Sequence, residues 1–465
     1  MDYDVMILGG GIIGCSLAYE LSKYSLNIAL VEKDYDIADD VAFINSTIVY
    51  DGIESEDDLT AELEVKGNKL MEQISKKFHI PFKKVGSLII AQTDEEASKI
   101  ENMYARSLKR NIKNIYLLNK EEVSNIEPEL NIDVKKALYS KNTMSIAPFD
   151  LAIAYAEIAF DNGVNFKLEE EVLKIEKLSK GYRVITNRNK FTCNIVLNTT
   201  PDENFNMDSN SRDNYGISNL NYFLFEKNNT KGFNNIIQKL EYKDTLKRIL
   251  VVPTVQGSMT LVVDSYDKIN YKDTLKYSSL LLNKTEEIDI NTFYQFPYYD
   301  DNIIIDYSLI DKGYVKVMIN HYAQVTITPY VSKMISEIVV NNINCVLKKD
   351  FIDKRREYYK FRDLSYEERQ KVIAMDKRYG KIICPCNEVT EGEIIDSIRR
   401  PLGARTIEGV KRRTGAAFGN CQGTYCLNKI AFILARETNK VMTDIVKDSK
   451  NSKITPWRIK EFDTM

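Results

Sequence analysis

Four cysteines near the C-terminus form the densest set of reactive groups in this sequence: Cys384 and Cys386 in Cys-Pro-Cys, then Cys421 and Cys426 in Cys-Gln-Gly-Thr-Tyr-Cys. Two closely spaced thiolate pairs, divided by a helix-length segment, suit an iron–sulfur cluster or a structural zinc. Disulfides are the bland alternative, and reducing compartments do not keep them. The other three cysteines, Cys15, Cys193 and Cys345, are scattered in apolar company. They are expected to pack as small hydrophobes.

A second constellation opens the chain. Residues 4–8 (Asp-Val-Met-Ile-Leu) read as a short buried strand, followed by Gly9-Gly10-Gly11-Ile12-Ile13-Gly14 and a helical pattern. A further strand over 27–31 ends on Glu32. Strand, glycine turn, helix, strand and acid together are the dinucleotide fingerprint. Gly9 permits the tight turn, Gly11 lets backbone approach a pyrophosphate, and Gly14 lets helix and strand pack closely. Glu32, 18 residues after Gly14, is placed to accept hydrogen bonds from ribose hydroxyls. The N-terminal position favours FAD over NAD, although the spacing fits both.

The remaining pattern supplies the elements that position these groups. Apolar residues Leu59, Leu63, Val65, Leu70, Met71 and Ile74 predict a helix over about 56–75. A strand is expected at 84–91 and helices at about 94–110, 120–126 and 149–162, the last capped by Asn162-Gly163. Strands at 164–168, 171–176, 182–186 and 193–198 predict a small antiparallel unit that returns to the parallel sheet. Residues 202–345, with strands near 249–252 and 259–263, read as a largely β region, and Lys227 to Lys231 as a solvated loop. Residues 346–378 are highly charged, carry a capping box at Ser365 and Glu368, and predict an ordered linker.

Composition narrows the function classes. A chain of 465 residues is long enough for two or three domains. Its 44% hydrophobic and 28% charged content is that of an ordinary globular protein. A net charge of −3 argues against nucleic acid as the main partner. No apolar run reaches the roughly 18 residues of a membrane span. The acidic opening Met-Asp-Tyr-Asp predicts no targeting segment and a cytoplasmic protein. Only two histidines occur, His79 and His321, so chemistry needing several His ligands has little to draw on.

The C-terminal stretch carries a resemblance. Cys384-Pro-Cys386-Asn-Glu-Val-Thr-Glu-Gly-Glu-Ile and Pro401-Leu-Gly-Ala-Arg-Thr-Ile-Glu-Gly-Val-Lys-Arg-Arg-Thr414 lead to Gly419-Asn-Cys421-Gln-Gly-Thr-Tyr-Cys426. This resembles the BFD-like module first named for bacterioferritin-associated ferredoxin. The whole chain resembles anaerobic glycerol-3-phosphate dehydrogenases, within the superfamily of D-amino-acid oxidases and L-2-hydroxyglutarate dehydrogenases. The resemblance implies an α/β fold: a Rossmann-like FAD-binding domain interleaved with a mainly β substrate domain, plus a small α-helical [2Fe–2S] domain. It implies an FAD-dependent oxidoreductase module at 1–345, with nucleotide-binding parts at about 1–75, 145–200 and 300–345 and substrate parts at 76–144 and 201–299. A linker at 346–378, a cluster domain at 379–440 and a tail at 441–465 complete the expected layout.

On that resemblance Cys384, Cys386, Cys421 and Cys426 hold the cluster. Gly9, Gly11, Ile12, Ile13, Gly14, Glu32, Lys33, Asn45, Ser46, Thr47 and Val172 line the FAD site, and His321 is the candidate base. Arg412 and Arg413 are expected either to offset the cluster's charge or to lie on a solvated helix face. Other positions depart from the family. Its Asn-Ser-Gly-Ile-Val-His-Ala-Gly turn is here Asn45-Ser46-Thr47-Ile48-Val49-Tyr50-Asp51-Gly52, and its Arg-Thr-Phe-Ala-Gly-Leu-Arg is Asn291 to Pro297, without either arginine. Gly-Ile-Glu-Ser-Pro-Gly-Leu-Thr becomes Ile319 to Thr326, Ala-Ala-Gly becomes Thr199-Thr200-Pro201, and Thr-Val-His-Gly becomes Thr254-Val-Gln256-Gly257.

The leading expectation is a dehydrogenase that passes electrons from a small hydroxy or amino substrate through FAD and the cluster to a partner flavoprotein or ferredoxin-type subunit. The alternatives are a non-catalytic electron-transfer or assembly subunit with an eroded flavin-ring and substrate site, and a zinc-stabilised regulatory protein with a vestigial nucleotide fold.

Overall fold

The computed structural model describes residues 1–38, 47–130, 132–200, 205, 217–225, 233–242, 246–282, 290–299, 302–419 and 421–454, with 217, 218, 241, 242, 297–299 and 302 by backbone alone. Asn45, Ser46, Pro201, the Lys227–Lys231 segment and the tail beyond Ile454 lie outside the described residues.

The chain begins with the strand Tyr3–Leu8, which pairs in parallel with Ile28–Val31 on one side and with Lys190–Asn198 on the other. Asn165–Lys167 extends this sheet beyond Ile28–Val31, while Tyr314–Asn320 adds in parallel to the far end of Lys190–Asn198. The antiparallel strands Val172–Lys177 and Tyr182–Thr186 lead into Lys190–Asn198, so the small unit does return to the parallel sheet. Parallel strands buried on both faces read as continuous apolar runs. Helices Ile12–Ser22, Pro148–Asp161 and Gln324–Ile343 cover one face through Leu17, Leu21, Ala154, Ile158, Val331 and Ile335.

A second sheet has the order Ile290–Tyr299, Ile217–Phe225, Met259–Ser265, Leu246–Pro253, Ile236–Tyr242, Ser87–Ala91, Lys136–Ser140 and Ile115–Leu118. Its strands alternate between two cores. Leu220, Leu250, Val252 and Val262 face the nucleotide-domain core, while Phe223, Ile249, Val251 and Val263 face a separate core on the other side. The expected strand over 84–91 is broken in two. Phe82–Lys84 joins a three-stranded sheet with Met144–Ile146, and Ser87–Ala91 enters the large sheet. Gly86, at φ +71°, turns the chain between them.

The expected helices form as Asp58–Lys77, Asp94–Lys109, Lys120–Ile126 and Pro148–Asp161. Leu63 and Met71 are buried on the first of these, whereas Leu59 is 63% exposed because the opening turn stands clear of the core.

The charged stretch after residue 345 is ordered by its charges. Lys348 Nζ donates to the Asn162 carbonyl (2.6 Å), and Arg356 forks onto Asp161. Arg355 donates from Nε to Glu157 (2.7 Å) and from Nη1 to Asp150 (2.7 Å), with its side chain 6% exposed. The capping box at Ser365 and Glu368 opens the helix Tyr366–Met375. A C-terminal module follows, made of the hairpin Ile382–Cys384 and Val389–Thr390 with helices Glu391–Arg399, Ile407–Thr414 and Leu427–Thr438 around their own core. Arg400 of this module pairs with Glu157 at 2.7 Å.

Glu157 is therefore a buried acid held by Arg355 and Arg400, and half-buried Asp150 pairs with Arg355 and Lys360. Removing one partner of such a group leaves an uncompensated charge, at a cost of about 3–5 kcal/mol. Arg355→Ala is expected to lower the thermal midpoint and to speed proteolysis within 346–365. A wild-type midpoint and an intact linker would contradict this joint.

Candidate functional site

The glycine turn is shaped by close approach. Gly9 has φ +99°, and its N–H donates to the Val31 carbonyl (2.9 Å). A Cβ at Gly14 would lie 2.0 Å from the Gly9 carbonyl oxygen, so only hydrogen fits there. The helix then starts at Ile12 with no side chain capping Gly11. Its dipole and first-turn amides thus face the turn, an arrangement that favours an anion. Ile12 and Ile13 are buried in the core beneath. Glu32 braces the turn: Oε2 accepts the Gly10 N–H (2.6 Å) and Oε1 the Asp34 N–H (2.8 Å). Lys33 is exposed beside it, and Val172 begins the outermost strand, half-buried. The residues present fit the adenosine diphosphate half of FAD.

On the other side, Thr47 stands where the family has glycine, and it adopts φ +70°. A β-branched residue in the left-handed region is strained by roughly 1–2 kcal/mol. Its carbonyl accepts the Ile146 N–H (2.9 Å). Tyr50 and Tyr322, in place of the family's His and Ser, meet edge to face at 4.7 Å. Ala323 is fully buried at the cap of Gln324–Ile343, and Gln324 is buried in its first turn. His321 is buried, and its Nδ1 accepts the Ala323 N–H (3.1 Å). A neutral ring bonded in this way carries its proton on Nε2. Gln256 lies on an exposed hairpin turn, and Pro297 is on the edge strand, where a missing N–H is tolerated.

Sequence reasoning passed over the charged groups of this region. Arg248 and Asp264 sit opposite each other on neighbouring strands of the large sheet, on the face turned to the nucleotide domain, and pair at 3.3 Å. Arg248 also lies 3.5 Å from Glu54 and 4.6 Å from the Tyr322 ring centre. Gln238 donates to Glu54 (2.9 Å), and Ser55 donates to Glu64 (2.7 Å) and lies 3.1 Å from the Tyr322 hydroxyl. Burial raises the Asp51 and Glu54 carboxyls. Burial, with Glu54 and Asp51 alongside, pushes Glu64 up to about 8. Glu54 and Asp264 thus share the Arg248 guanidinium, Asp51 and Glu64 lie beside Glu54, and Arg106 reaches the Glu54 carbonyl. Isolated Asp and Glu in a charged sequence look solvated, and only the fold brings these together.

The four module cysteines divide into two couples. Cys386 and Cys421 lie with sulfurs 3.5 Å apart, exposed and half-exposed. Cys384 and Cys426 are both buried, and burial, then Cys384 alongside, pushes the Cys426 thiol up to about 12. Among the described residues no three His, Cys, Asp or Glu converge on a single-ion site. A tetrahedral zinc with 2.3 Å bonds needs all four sulfurs within roughly 3.8 Å of one another. Four thiolates are the usual ligand set of a [2Fe–2S] cluster, so the donor set fits that group. Burial opposes ionisation of Cys421, but the N–H groups of Tyr425, Gly423 and Thr424, together with Cys386, hold its thiol below the usual range. Cys15 and Cys193 are core residues as expected, and Cys345 is half-buried.

Arg412 and Arg413 do not lie on a solvated helix face. Both side chains are 4% exposed, and they reach the nucleotide domain: Arg413 forks onto Asp36 with two bonds of 2.7 Å, and Arg412 lies 3.1 Å from Asp448. At the other edge Gln422 donates to the Asn291 carbonyl, and Asn291 Nδ2 to the Phe418 carbonyl (3.3 Å). The cluster loop therefore meets the edge strand that carries Pro297.

Residues 4–204 match the FAD dependent oxidoreductase family, and residues 382–436 match the BFD-like [2Fe-2S] binding domain. A glycerol 3-phosphate dehydrogenase of Caloramator mitchellensis is 36% identical over 474 residues, covering 97% of this chain and 98% of that protein. The chain belongs to the glycerol 3-phosphate dehydrogenase-like FAD-dependent oxidoreductases. A glycerol 3-phosphate oxidase of Mycoplasma pneumoniae is 33% identical over 193 residues, 41% of this chain and 50% of that protein. The solved FAD-bound L-alpha-glycerophosphate oxidase of the same organism superposes with a TM-score of 0.65 at 22% identity, covering 77% of this chain and 99% of that one. This oxidoreductase thus joins an FAD module to a [2Fe–2S] module, and among its described residues no helix is long and apolar enough to cross a membrane.

Three outcomes follow. Gly14→Ala is expected to abolish flavin retention, and wild-type flavin content in that variant would contradict the close approach. Serine at Cys421 should bleach the cluster while the nucleotide domain stays folded; anaerobically purified protein with zinc and no acid-labile sulfide would overturn the cluster. Glu64 has a folded pKa of about 8 against a usual 4.5, so its neutral form favours the fold. That contribution is intact at low pH and is lost as pH rises through about 8. The midpoint of wild type should therefore fall more steeply than that of Glu64→Gln between about pH 4.5 and 8, and parallel curves would refute the shift.

Proposed function

We propose that this protein is a dehydrogenase for a small uncharged or cationic hydroxy or amino compound, passing the electrons through its cluster to a partner redox protein. FAD supplies two-electron oxidation of the substrate and the cluster supplies single-electron exit. In this reading Gly9, Gly11 and Gly14 admit the pyrophosphate, and Glu32 takes the ribose hydroxyls. Lys33 and Val172 flank the adenosine, and Asn45, Ser46 and Thr47 lie on the flavin-ring side. His321 serves in a holding role, because its Nδ1 lone pair already fixes the Ala323 amide; acting as a base at that atom requires breaking the bond.

The substrate class rests on one observation, the pairing of Arg248 with two carboxylates, Glu54 and Asp264. Arginine is the usual grip for a phosphate, and here the nearest guanidinium is already committed to Glu54 and Asp264. A phosphate brought to this place meets like charge and lacks its fork, a deficit of roughly 2–5 kcal/mol for a partly desolvated pair.

The contact of Tyr322 with Arg248 at 4.6 Å favours a second reading. It ties the start of Gln324–Ile343 directly to the large sheet, across the region the family uses for the flavin ring and substrate. A chain closed in this way acts as an electron-transfer or assembly subunit without substrate oxidation of its own.

Anaerobic mixing with candidate substrates tests both readings. Bleaching of bound flavin by uncharged or cationic hydroxy or amino compounds, with little or none by millimolar glycerol 3-phosphate, is the expected result. Rapid bleaching by glycerol 3-phosphate would overturn the substrate class, and no bleaching by any compound would favour the second reading.

A further inference from the structure

The strand Ile28–Val31 releases a loop, residues 32–38, that frames the glycine turn. Both ends are tied to Gly10: its N–H donates to Glu32 Oε2 (2.6 Å), and its carbonyl accepts the Ala38 N–H (2.9 Å). Between these ties the loop turns Asp36 away from the turn and into the C-terminal module. Asp36 is 4% exposed. Its partners come from 377 positions along the chain: Arg413 Nη1 to Oδ2 and Nη2 to Oδ1, each 2.7 Å. Arg412 adds a second guanidinium at 3.7 Å. Oδ1 also accepts the Ile37 N–H (2.8 Å). Arg413 is itself fixed by the Leu402 carbonyl (2.7 Å) and the Gly409 carbonyl (3.0 Å), so the fork is held before Asp36 meets it.

We propose that the cluster module completes the FAD site: Arg413 and Arg412 clamp Asp36, so the loop framing the glycine turn is held in its FAD-binding form only while the module is docked. This rests on the proposed binding of FAD at the glycine turn. Asp36 and Arg413 are positioning residues. A buried carboxylate cannot stay in place once its cations leave, because its charge is then uncompensated. Undocking therefore lets Asp36 swing out, drawing Ala38 from the Gly10 carbonyl and loosening the brace at Glu32. Linkage makes the effect reciprocal: flavin that binds the framed loop more tightly also favours the docked module. The form that retains flavin is then the form in which the cluster lies against the same domain.

Gly409 supplies a test that removes no charge. A Cβ there would lie 2.4 Å from Asp36 Oδ2, so Gly409→Ala pushes the carboxylate off the fork. Alanine for glycine inside a helix ordinarily stabilises it, so the helix itself keeps its form and the change acts at Asp36. FAD is titrated into flavin-stripped protein that keeps its cluster, with flavin fluorescence reporting affinity and visible circular dichroism reporting the intact cluster. Gly409→Ala and Arg413→Gln are expected to weaken FAD binding by about ten-fold or more, with the cluster signal unchanged. Arg413→Lys, which keeps the charge without the fork, should fall between these and wild type. Asp36→Asn combined with Arg413→Gln should be no weaker than the worse single variant, since both break one clamp. Wild-type FAD affinity in Gly409→Ala and Arg413→Lys, with the cluster intact, would overturn the clamp. Failure of wild type to bind FAD removes the premise instead, and is seen separately because every variant then matches it.

Discussion

Two buried charge joints fix where the cluster module sits, and the rest of the architecture depends on them. At one, Arg355 and Arg400 converge on Glu157, with Asp150 alongside. At the other, Arg412 and Arg413 converge on Asp36. Buried ion pairs add little net stability over well-packed apolar groups, because desolvation offsets their attraction. Their consequence here is geometric. Apolar surfaces slide, whereas a fork of two 2.7 Å bonds onto one carboxylate permits a single register. Electrons that pass between two centres in one chain need that fixed register.

The same physics runs the other way around Arg248. There the carboxyls outnumber the guanidiniums, and burial keeps Glu64 protonated near neutral pH. Tyr322 binds this group together, touching Arg248, Tyr50 and Ser55 at once. Thr47 adopts a backbone conformation that suits glycine. The nucleotide end and the cluster keep the family's pattern, and the region between them is where this protein has its own character.

Much of this was legible in the sequence because it is local. The glycine turn with its flanking strands, the capping box at Ser365 and the stop at Asn162-Gly163 each need only a few neighbouring residues, and each forms where expected. The spacing of Cys384, Cys386, Cys421 and Cys426 carries their chemistry in the same way. The strand over 84–91 failed because its apolar run continues through Gly86, whose turn sends the two halves to different sheets. Arg412 and Arg413 failed because a basic helix end looks solvated until the distant loop bearing Asp36 is folded against it. Glu54, Glu64 and Arg248 gave no signal for the same reason: their partners lie far apart in the sequence.

The central claim is that one chain holds two redox centres, an FAD and a [2Fe–2S] cluster, within a single docked assembly. Anaerobic reductive titration of the purified protein, followed by its visible spectrum, tests this most directly. A flavin accepts two electrons and a [2Fe–2S] cluster one, so complete reduction is predicted to take about three electron equivalents per chain, with both flavin and cluster bands bleaching. An end point near one equivalent with only cluster bands, or no bleaching at all, would contradict the account.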